Sequence, residues 1–173
     1  MTLKRLLYFY IAYLILSAAF ARKGLTWLTG LIGHPGIRNL SWVLLGGSLL
    51  LLILLFRKDR PPWPRILAVT LSFVGIFLFL KGMHKPEERI HIFQYGLLGY
   101  LLMATLREKS WKQALLLSLL IVLAVSGADE LFQAFLPDRV GDIRDVGFGC
   151  LGGTWGIVVA SLTLKRGPSR STG

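Results

Sequence analysis

Apolar residues in this chain are gathered into long runs, and that arrangement narrows the fold more than any single motif does. The runs lie at Leu6 to Ala21 and at about 40–56, 65–80, 90–106, 112–128 and 143–164. A helix needs roughly 20 mostly apolar residues to cross the hydrocarbon core of a bilayer, so these are candidate spans. Only 17% of the 173 residues are charged and 54% are hydrophobic. Soluble domains carry about 25% charge. The expected fold is all-α: a polytopic transmembrane bundle of about six membrane helices plus a short interfacial helix. Residues 1–164 would form one transmembrane domain, and 165–173 a disordered basic tail.

The breaks between runs are specific. Arg22-Lys23 follows the first run, and Ala19-Phe20-Ala21 resembles a signal-peptide cleavage site. A retained first helix is expected, because the basic pair directly follows. The stretch 24–38 is short and glycine-rich, with Trp27, Leu28, Leu31 and Ile32 on one helical face, which suits an element lying in the interface. Prolines at 61, 62 and 64 forbid one continuous helix from the second span into the third. Pro137 stops the fifth helix after Leu136.

A net charge of +11 raises the question of nucleic acid. The basic residues, however, are spread through the connections, with no basic patch interleaved with aromatics, so nucleic acid is not expected as a partner. Their distribution instead sets orientation. With six spans, the N-terminus, the 57–65 and 107–112 connections and the tail hold twelve of the twenty Lys and Arg, leaving eight on the other side. The richer side should be cytoplasmic, with both termini inside and the 129–142 region outside. Cys150, the one cysteine, has no disulfide partner within the chain.

Five of the nine carboxylates (Asp129, Glu130, Asp138, Asp142 and Asp145) fall in one short stretch between two apolar runs. At the centre of a spanning helix a carboxylate costs about 2.5–3.5 kcal/mol on insertion scales, so such residues are partnered or functional. At 100° per residue, Asp129, Glu130 and Gln133 share one sector of the fifth helix, while Leu131, Phe132 and Phe135 take the other side. The fourth helix opens on Pro86-Glu87-Glu88, a good start signal. Glu88, His91 and Tyr95 then follow along one face. On the sixth helix Asp145 lies on a stripe with Gly149, Gly152, Gly153 and Gly156. Small residues at that spacing let helices approach closely in lipid, which would bring Asp145 against the fourth or fifth helix.

Taken together, Glu88, His91 and Tyr95 at a helix start, Asp129-Glu130-x-x-Gln133, Pro137-x-Arg139 and Asp145 ahead of a glycine-rich helix resemble the VanZ-like family of bacterial membrane proteins. The similarity covers roughly residues 80–160. Two departures stand out: Gly149 where members often have Asn, and Glu87-Glu88 where many have Asp-Lys. The resemblance implies a small helical protein of the bacterial plasma membrane acting at the cell envelope. The family takes its name from a protein linked to resistance to the glycopeptide teicoplanin. No reaction follows from the resemblance.

Three functions compete. In the first, the chain binds or acts on an anionic or glycosylated envelope lipid at the outer leaflet. Arg139 would hold a phosphate or carboxylate in a forked contact, and His91, Glu130 or Asp129 would serve as acid or base. Gln133, Asp145, Tyr95 and Glu88 would complete the binding face. A divalent metal on Asp129, Glu130 and Asp145, with or without His91, is compatible with carboxylate chemistry, although no His-Glu-x-x-His signature is present. No cofactor is assigned, and no Ser or Cys is placed as a nucleophile. In the second, the cluster is a structural ion-pair network in a non-enzymatic scaffold. A transporter is the third, disfavoured because the ionisable groups gather at one mouth and no broken helix pair marks a midplane site.

Overall fold

The computed structural model describes residues 2–59, 61–83, 85–137 and 141–164. The regular elements among them are five helices: α1 (Leu3–Asp59), α2 (Trp63–Lys81), α3 (Pro86–Thr105), α4 (Trp111–Ala134) and α5 (Ile143–Thr163). Four helical stretches are long and apolar enough to cross a membrane: Pro35–Leu54, Trp63–Lys81, Trp111–Ala134 and Ile143–Thr163. They coincide with four of the six expected spans. α3 is helical where expected, but its first turns carry Glu87, Glu88, Arg89 and His91, which lower its apolar character.

The N-terminal region departs from expectation. The separate interfacial helix at 24–38 is absent as an element of its own, and α1 instead continues through Arg22-Lys23-Gly24. A glycine inside a helix costs only about 1 kcal/mol relative to alanine, too little to end one. The interruption comes at Gly33, whose φ of 71° suits a residue without Cβ, just ahead of Pro35. The other breaks fall as expected. Pro62 is extended at the N-cap of α2 with Pro64 in the first turn. α4 ends at Ala134, two residues before the expected Leu136, yet the chain keeps turning. Phe135 N donates to Phe132 O and Leu136 N to Gln133 O before Pro137 stops the turn. The tail at 165–173 lies outside the described residues.

The chain divides into two compact units, residues 23–90 and residues 1–22 with 91–173. In the first, Val69, Phe73, Ile76 and Leu80 form the buried face of α2. The Trp42 ring packs 5.3 Å from that of Phe77. Arg89 places its guanidinium 5.3 Å from the Trp42 ring centre and donates through Nη2 to the Met83 carbonyl, an arrangement that keeps a buried cation solvated.

In the second unit, Leu7 and Leu14 of α1 pack with Tyr95, Leu98 and Leu102 of α3, Val122 and Val125 of α4 and Ile157 of α5. Tyr10 ties α1 to α3 by donating to the Gln94 carbonyl at 2.9 Å. α5 presents its glycine stripe to two partners. A methyl group on Gly156 would strike the backbone of Gly96, and one on Gly149 would strike the Ser126 hydroxyl. Gly152 faces Ile92 and Gly153 faces Val122 in the same way, so α3 and α5 run parallel while α4 runs against both. That register has a consequence for function. It gathers the start of α3, the end of α4 and the start of α5 at one end of the unit.

Candidate functional site

At that end the polar sector of α4 turns inward. Asp129, Glu130 and Gln133 are 3%, 6% and 4% exposed, whereas Leu131 and Phe135 on the opposite sector are 62% and 78% exposed. The split expected from helical periodicity is the one observed. From α3, His91 and the fully buried Tyr95 reach toward the same place, their rings 5.5 Å apart.

The hydrogen bonds fix the two carboxylates differently. Tyr95 donates its hydroxyl to Asp129 Oδ2 at 3.0 Å. Glu130 is held at both oxygens: Gln133 Nε2 donates to Oε1 at 2.9 Å, and the backbone N–H of Asp142 donates to Oε2 at 3.0 Å. The second contact reaches across from the chain that opens α5. There Asp142 caps the helix, its Oδ1 accepting from Arg144 N at 2.9 Å. Glu130 thus clamps the α4–α5 connection, and Gly141 packs so closely on its carbonyl that a side chain would not fit.

His91 stands between the carboxylates. Its Nε2 lies 3.5 Å from Asp129 Oδ2 and 3.4 Å from Glu130 Oε1. Neither separation makes a good hydrogen bond, since N–H···O bonds run about 2.7–3.2 Å. Nε2 is buried without a hydrogen-bond partner, and so is Asp129 Oδ1. A polar atom left in that state costs about 1–3 kcal/mol, more when charged. Among the described residues, His91 is the ion-pair partner of both carboxylates, with no Lys or Arg within pairing distance. Asp145, in the first turn of α5, is within electrostatic reach of the imidazole.

Of the residues singled out in the sequence, the structure brings together His91, Tyr95, Asp129, Glu130 and Gln133, with Asp145 close by. Glu88 belongs to the other unit, where Lys85 Nζ approaches its carboxylate at 3.7 Å. Arg139 lies outside the described residues. Two contributors escaped the sequence reading. The Asp142 backbone N–H leaves no trace in side-chain patterns, though Gly141-Asp142 before an apolar run is a helix-start signal. Ser126 was legible, one turn before Asp129 and Glu130 on the same face. It donates to the Val146 carbonyl at 3.4 Å and receives Gly149.

Residues 86–164 match the family model described as VanZ/LLP1, nearly the stretch over which the sequence resemblance was drawn. No curated protein and no solved structure matches the chain.

Proposed function

Because residues 86–164 match the VanZ/LLP1 family model, we propose that this is a VanZ-like protein and that the His91–Asp129–Glu130 cluster is its working site, serving an anionic or glycosylated lipid of the bacterial envelope. The observation that carries this reading is the Nε2 atom of His91. It is buried, lacks a hydrogen-bond partner and stands 3.4–3.5 Å from two carboxylates. A group kept in that state at a stability cost is poised to exchange a proton or to take a ligand. His91 then acts as acid or base, with Asp129 and Glu130 balancing its charge. Tyr95 and Gln133 hold the carboxylates in place. Arg139, in the connection beyond Pro137, receives the lipid's anionic group, with Asp145 bordering the approach.

In this reading α3 and the N-terminal part of α1 also cross the bilayer, giving six spans with both termini cytoplasmic. The charge distribution of α3 to α5 supports the orientation. Arg107 and Lys109 precede α4 and Lys112 lies in its first turn, whereas Glu130 comes 18 residues after Lys112, about 27 Å further along the helix. The basic end faces the cytoplasm and the carboxylates the outer leaflet. A contribution to glycopeptide tolerance of the teicoplanin kind would follow from altering or sequestering such a lipid.

The burial of Asp129 and Glu130 favours a second reading, in which the cluster only locks α3, α4 and α5 together in a scaffold. Lipid mass spectrometry of protein purified from bacterial membranes separates the two. Wild type should carry an anionic or glycosylated lipid that Glu130→Gln and Arg139→Lys have lost. Equal lipid profiles in all three would rule out the lipid site.

A further inference from the structure

The geometry around His91 points to a ligand for the cluster itself. We propose that His91, Asp129 and Glu130 form a binding site for one divalent transition-metal ion of the zinc type. This inference rests on the reading of the cluster as the working site and says what occupies it.

One donor atom from each of the three residues lies within 4.8 Å of the others. Two ligands each about 2.0–2.1 Å from a tetrahedral ion stand about 3.3–3.4 Å apart. The separations from His91 Nε2, 3.5 Å to Asp129 Oδ2 and 3.4 Å to Glu130 Oε1, are close to that edge and too long for good hydrogen bonds. A second, independent observation points the same way: Asp129, only 3% exposed, keeps Oδ1 buried without a hydrogen-bond partner. A cation at the Asp129 carboxylate would balance the charge that this unpartnered oxygen shares and would take the orphaned imidazole nitrogen as a ligand. One imidazole with two carboxylates suits zinc or a neighbouring first-row ion better than calcium or magnesium, which prefer oxygen alone.

The surroundings also fit. Metal-binding carboxylates are normally oriented by donors behind them. Here Tyr95 OH serves Asp129 at 3.0 Å, while Gln133 Nε2 and Asp142 N serve Glu130 at 2.9 and 3.0 Å. Three protein ligands leave a coordination position for a phosphate or sugar oxygen of the lipid.

The test uses the full chain in detergent, stripped with a chelator and titrated with Zn2+ by calorimetry. Co2+ serves as the spectroscopic probe. Wild type should bind one ion per chain and give the intense visible spectrum of tetrahedral Co2+. His91→Ala and Asp129→Asn should abolish both signals. Tyr95→Phe should bind about 10–100-fold more weakly, as loss of an orienting donor does, while Cys150→Ser should bind as wild type does. Absence of stoichiometric binding by folded wild type would overturn the metal site, as would unchanged binding by His91→Ala. Lipid profiles run on the same samples keep the two claims apart. No metal with a lipid still lost in Glu130→Gln removes only the ion, whereas an unchanged lipid profile removes the working-site reading.

Discussion

The residues at the end of α4 are held by unequal means, and their substitution should show it. Glu130 has a hydrogen-bond donor at each oxygen, Asp129 at only one. Glu130→Leu would strand the Gln133 amide and the Asp142 N–H, each worth about 1–3 kcal/mol when left unpaired. Asp129→Asn keeps the shape and puts an amide where one atom had no partner, so it should cost less. Thermal melts in detergent should therefore rank Glu130→Leu well below Asp129→Asn in stability. Equal melting temperatures would mean that the clamp on Asp142 adds nothing.

Between elements the governing feature is the close approach of α5 to α3 and α4. Gly156 has no room for a methyl group against Gly96, whereas Gly147 on the same helix has nothing within 4 Å of the position a Cβ would take. Gly156→Ala should destabilise by about 1–3 kcal/mol through overpacking. Gly147→Ala should be neutral or stabilising by up to about 1 kcal/mol, from helix propensity alone. Opposite shifts in melting temperature are the expected result. The stripe behind this contrast was legible in the sequence because its period is that of a helix, and so was the division of Asp129, Glu130 and Gln133 from Leu131 and Phe135. Two other features were not. The course of α1 through Gly24 depends on a balance of about 1 kcal/mol that no local pattern reveals. The Glu130 bond to Asp142 N is a tertiary contact, set only once α4 and α5 have packed.

For the molecule as a whole, the proposed orientation follows from the basic start and acidic end of α4. A single cysteine in place of Ile143, 81% exposed at the start of α5, in a Cys150→Ser background should react with an impermeant maleimide in intact cells. Protection until permeabilisation would reverse the topology. The central claim, however, is that the cluster works before it supports, and one paired measurement decides it: melting temperature in detergent beside the lipid carried by the purified protein, for wild type and His91→Gln. The introduced glutamine can still offer a donor toward the carboxylates but neither shuttles a proton at neutral pH nor replaces an imidazole ligand. The account predicts that the variant melts close to wild type and has lost the lipid. A variant that loses several degrees of stability yet carries the same lipid as wild type would contradict it.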